Sequence, residues 1–161
     1  MTNSLKIEAS QTGTALYVKL TGQLDEHAEY FTPPATGITA IVFDFAGITL
    51  INSVGIQKWI HFFAGLPPAA RISFTRCTLR IINQINLFPD FTAGRSVTVE
   101  TFYAPYFCET CDESCTVLLT RAVDFRTSAI KAPQRPCPHC QAPMLFDGIE
   151  DKYLRFLKQS A

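Results

Sequence analysis

The 161-residue sequence is poor in charge and has no surplus of either sign: charged residues make up 17% of it, with fourteen acids against fourteen bases. Divided at Phe107, it leaves seven acids and seven bases on each side. Neither part has the basic excess that phosphate-backbone binding favours, so nucleic acid is not an expected partner. An uninterrupted apolar run of membrane-spanning length is missing, and the opening MTNSLKIEAS has no cationic region followed by an apolar core. A soluble, cytoplasmic protein without a membrane partner is therefore expected. Low-complexity tracts and internal repeats are absent. There is no phosphate-cradling glycine motif, no HExxH and no evident nucleophile-base pair, and the chain is not read as an enzyme. His27 and His61 have no Cys or second His at ligand spacing, which assigns them to the surface.

What is present is apolar substance. Hydrophobic residues reach 47% and Phe alone accounts for thirteen positions, a composition that collapses into a compact core. The length suits one domain of about 100 residues with a small appendix.

Periodicity organises the first part. In TALYVKLTG, Leu16, Val18 and Leu20 alternate with Ala15, Tyr17 and Lys19, the period of a strand, and LKIEAS is its hairpin partner through the turn at Gly13. LTGQLDEHAEYF leads into a short helix cut by Pro33 and Pro34. ITAIVFDFAGITLI opens as a central strand buried on both faces. From Ser53 onward, Ile56, Trp59, Ile60 and Phe63 fall at helical spacing until Gly65, Pro67 and Pro68. ARISFTRC is a strand, TLRIINQINLF a helix and SVTVETFY a strand, so residues 1–105 are expected to form an α/β fold: a mixed sheet with helices packed on it.

With that order in place, LTGQLDEH and ITLINSVGI together resemble the two signatures of the STAS family, named after sulfate transporters and anti-sigma factor antagonists. Gly22, Gln23, Leu24 and Asp25 match its G-x-L/I-D. Asn52, Ser53, Val54, Gly55 and Ile56 match its D-S-x-G-L/I, with Asn52 where the family has Asp, and RIINQINLFPDF resembles its last helix and following turn. The likeness spans roughly Leu5 to Phe102. It implies a bacterial-type regulatory module that binds a protein partner, an anti-sigma factor or kinase-like regulator. In that reading Ser53 is the phosphoacceptor, and Asp25, Asn52, Val54 and Gly55 belong to the partner or switch surface. A reading that needs no kinase stands beside it, because Asn and Ser are preferred helix N-caps and Asp25 suits a turn or cap. An alternative function is a sensor of a small anionic ligand or nucleotide at the same helix N-terminus.

The remaining residues, 106–161, hold five of the six cysteines. CETC and CPHC place Cys108, Cys111, Cys137 and Cys140 as two Cys-x-x-Cys pairs with twenty-five residues between them. Two such turns supply four thiolates, the closed tetrahedral shell of structural zinc, and the pattern resembles a zinc ribbon. Iron of the rubredoxin kind uses the same four thiolates. Cys115 could replace Cys108 in a Cys-x-x-x-Cys turn, or be a packed free thiol. CPHC also resembles the active-site setting of disulfide oxidases, but it follows KAPQRP instead of a thioredoxin-like strand. GIEDKYLRFLK is expected to be an amphipathic terminal helix docking through Ile149, Tyr153, Phe156 and Leu157.

Overall fold

A computed structural model describes residues 3–34 and 36–159. The architecture is α/β. A hairpin of β1 (Lys6–Thr12) and β2 (Ala15–Leu24) is followed by β3 (Ala40–Ile51), α1 (Ser53–Ala64), β4 (Arg71–Thr75), α2 (Leu79–Leu87), a 3-10 turn (Pro89–Thr92) and β5 (Val97–Val99). These five strands form one mixed sheet in the order β1-β2-β3-β4-β5, antiparallel at the first pair and parallel thereafter. Helical crossovers account for the parallel pairing of β3 with β4 and of β4 with β5.

Alternation in β2 sends Leu16, Val18, Leu20 and Leu24 to the face that α1 covers, where Phe43, Phe45 and Phe74 join them. Trp59 fills the centre. It is fully buried, edge-on to Phe43 at 5.2 Å and stacked on Phe91 at 5.5 Å, and its indole N–H donates to the Phe91 carbonyl at 2.9 Å. Burying that polar tip requires such a partner.

The short helix expected before Pro33 does not form. Asp25 to His27 make a turn, and residues 28–34 carry no helix. Too few residues precede the prolines to offset helix nucleation, and tertiary contacts hold an irregular path instead: Tyr30 stacks on Phe62 at 4.5 Å and Lys58 Nζ donates to the carbonyls of Glu26 and Ala28.

The expected strand SVTVETFY is two strands. The strand is interrupted at Glu100, whose N–H goes to Phe74 O and whose carbonyl accepts from Arg121 N, each at 2.8 Å. Beyond it β6 (Thr101–Cys108) starts a second, antiparallel sheet with β7 (Glu113–Thr120), β8 (Arg135–Pro136) and β9 (Pro143–Phe146), in the order β7-β6-β9-β8. Residue 105, the expected module boundary, lies within β6, and one apolar cluster runs from Leu16 to Leu157.

After the turn α3 (Arg121–Asp124), the last described elements are α4 (Glu150–Tyr153) and α5 (Phe156–Gln159), two turns where one helix was expected. Asn86 Nδ2 takes the Tyr153 carbonyl at 2.8 Å, so that oxygen leaves the helical ladder, and Leu157 N–H bonds Leu154 O instead. Phe156 and Leu157 dock as expected and Tyr153 is partly buried, but Ile149 remains 67% exposed.

Candidate functional site

The two Cys-x-x-Cys segments are the tips of two hairpins. Cys108 ends β6, and Cys111 lies in the turn to β7; Cys137 and Cys140 lie in the turn from β8 to β9. Each turn is followed by a residue in the left-handed region, Asp112 at φ 54° and Gln141 at φ 63°, which lets the chain reverse directly after its second cysteine.

All four Sγ atoms lie within 4.8 Å of one another. Cys108 Sγ is 3.6 Å from Cys140 Sγ, and Cys111 Sγ is 3.8 Å from Cys137 Sγ. A tetrahedron with metal-sulfur bonds of about 2.3 Å has edges of about 3.8 Å, so two of the six edges already stand at the spacing one ion needs and the other four lie within 4.8 Å. Cys108 and Cys137 are buried, Cys111 is half-buried and Cys140 exposed. Backbone N–H groups of Cys140 and His139 hold the Cys137 thiol down to about 6. The Cys140 thiol beside Cys111, together with burial, pushes Cys111 above the usual thiol range, a crowding that a bound cation relieves. Cys115 is outside the cluster and packs on Met144, Sγ to Sδ at 3.4 Å. His139 turns outward and faces Glu113 at 3.6 Å.

The second candidate surface is the mouth of α1. Asn52 is its N-cap: it has extended backbone (φ −123°, ψ 172°), and its Oδ1 accepts from Gly55 N at 2.8 Å. Asn52 Nδ2 donates to Glu26 Oε2 at 2.6 Å, and its own N–H bonds Leu24 O at 3.0 Å, tying the helix start to the end of β2. Ser53, the first helical residue, is exposed, as are Leu50 (40%) and Val54 (43%).

Asp25 and Gly55 are buried, so they shape this surface from beneath. Asp25 Oδ1 accepts from His27 N at 2.9 Å and closes the turn. A Cβ on Gly55 would stand 1.8 Å from Leu24 O. Gly22 is bound by a similar constraint, with φ 107° and Ser4 O only 2.5 Å from where its Cβ would be. The glycines of both short motifs thus sit where strand or helix meets backbone at close range.

One charged group escaped the sequence reading. Asp44, fully buried in β3, accepts from Tyr17 Oη, from Ala46 N at 3.0 Å, and from Arg76 through Nε (3.1 and 3.0 Å) and Nη2. Burial raises its pKa, but the hydrogen bonds of Arg76, Tyr17 and Ala46 outweigh that and hold the carboxyl below its usual range. A lone acid inside the apolar run IVFDFAG was the available signal, because a buried charge requires a partner.

No protein-family model matches the chain, and no curated protein matches it.

Proposed function

We propose that the chain is a regulatory protein-binding module of STAS type that docks an anti-sigma factor or kinase-like regulator over the mouth of α1, and that its four-cysteine centre holds structural zinc. The carrying observation is a division of labour: Asn52 does the capping, which leaves the Ser53 hydroxyl exposed beside apolar Leu50 and Val54. Phosphate on Ser53 adds about 1.5 to 2 negative charges. The helix dipole tolerates that charge, whereas a partner covering Leu50 and Val54 meets it desolvated and next to the Glu26 carboxylate. Partner release is the physical outcome. The same Glu26, bonded to Asn52, makes the helix mouth a poor seat for a free anion and favours a protein partner over a small anionic ligand.

Four thiolates in a tetrahedron suit zinc or iron. With four protein ligands the shell is closed, which fits a structural ion and not a catalytic one. A reducing cytoplasm keeps the thiols available for it.

Intact-mass analysis of the protein from its native cells tests both halves. Native spectra are expected to carry one zinc ion that denaturation removes, and denatured spectra a phosphate that maps to Ser53 under one signalling state. Absence of phosphate on Ser53 in every state, together with partner binding unaffected by Ser53→Glu, overturns the switch.

A further inference from the structure

One edge of the first sheet is β5, only three residues long; the other is β1, whose seven residues pair with β2 without a register shift, from Lys6↔Thr21 to Thr12↔Ala15. No strand lies along the outer side of β1 among the described residues. An edge of that length presents unpaired backbone donors and acceptors to any strand that fits, and proteins blunt such edges with bulges, prolines or charges. KIEASQT has no proline, and Lys6 and Glu8 are its only charged residues.

The two faces of β1 differ. Lys6, Glu8 and Ser10 share the face that the helices leave open, where Glu8 is 3.9 Å from Lys19. Ile7 is on the helix side, partly buried against the core together with Leu5.

We propose that β1 pairs antiparallel with β1 of a second copy of this chain, about a two-fold axis at Ile7, joining the two five-stranded sheets into one. The charges select this register. Centred on Ile7, each Lys6 faces Glu8 of the other copy, and this happens twice by symmetry; on the opposite face Ile7 meets Ile7 and Leu5 meets Ala9. A shift of the axis to Lys6 or to Glu8 sets like charges opposite one another, which is destabilising. Centring on Ala9 puts Lys6 against Thr12 and Glu8 against Ser10, with neither charge paired. The residues that repel wrong registers are thus the ones that complete the right one. The symmetry is isologous and closes at two chains.

In this register the five residues from Leu5 to Ala9 face their counterparts, roughly 17 Å at about 3.4 Å each, so the contact is narrower than a standard interface and the dimer is weak and reversible.

Sedimentation equilibrium of the full chain across a concentration series is the test. A reversible monomer-dimer equilibrium is expected, with β1 amides gaining protection from hydrogen exchange as concentration rises. Lys6→Glu replaces two attractive pairs with two repulsive ones and should weaken dimerisation on the order of tenfold; Lys6→Glu with Glu8→Lys should restore it. Far-ultraviolet circular dichroism and Trp59 fluorescence check that each variant is folded. A monomer up to the solubility limit, protection that maps elsewhere, an unchanged dimer in Lys6→Glu, or no rescue in the folded double variant overturns the proposal.

Discussion

Gly55→Ala is the most searching single change, because local preference and tertiary packing pull in opposite directions. In the first turn of α1 an added methyl gains about 1 kcal/mol of helix propensity. That methyl would stand 1.8 Å from Leu24 O, 2.1 Å from Leu24 C and 2.5 Å from Asp25 N. Overpacking costs about 1–3 kcal/mol where side chains can give way, and here the neighbours are all backbone. Relief requires α1 to lift from the end of β2, stretching the 3.0 Å bond from Asn52 N to Leu24 O, worth about 1 kcal/mol. A net loss of about 2 kcal/mol is expected. Urea unfolding followed by Trp59 fluorescence reads it well, since Trp59 is the only tryptophan and is fully buried. With a slope of about 1–3 kcal/mol per molar urea, the midpoint should fall by about 1 M. Gly65→Ala is the control: at the other end of the same helix φ is −82° and the nearest atom to an added Cβ is 3.4 Å away, so the change should stay within about 0.5 kcal/mol. A Gly55→Ala midpoint equal to or above that of the unmodified chain would refute the close approach of α1 to β2.

Asn52→Ala should cost about 1 kcal/mol through the lost cap while Ser53→Ala stays within about 0.5 kcal/mol, a contrast that urea unfolding resolves. In native mass spectra Cys137→Ser should lose the proposed zinc ion and Cys115→Ser should keep it, because only the former contributes an Sγ to the cluster. Asp44 has a depressed pKa in the folded chain, so its contribution is complete above the unfolded value of about 3.9 and is lost as pH falls through the folded value. Asp44→Asn should therefore lower stability at neutral pH and flatten the acid limb of a pH-stability curve; a limb as steep as the original would contradict the linkage.

The parts of this molecule that a sequence reveals are those with local causes. Alternation at Leu16, Val18 and Leu20 and helical spacing at Trp59 and Phe63 led directly to β2 and α1, and the two Cys-x-x-Cys pairs to four converging sulfurs. What stayed hidden depended on distant partners. The irregular path of residues 28–34 is fixed by Phe62 and Lys58, and the break after Tyr153 by Asn86. Asp44 was visible as a letter, yet its partners Tyr17 and Arg76 lie 27 and 32 residues away. The motif residues divide in the same way: Ser53 and Val54 are surface, whereas Asp25 and Gly55, equally prominent in the pattern, are buried supports.

The single residue Glu100 between β5 and β6 bears on the heredity of the chain. One apolar cluster passes across it from the first sheet into the second, and Cys77, just past β4, bridges Phe102 of β6, so a recombination cut at this residue would divide a continuous core. A break after Val99 would part Phe102 from Cys77, and a break after residue 105 would split β6 between the two products. Substitutions on one side of Glu100 are then expected to be felt in the packing of the other.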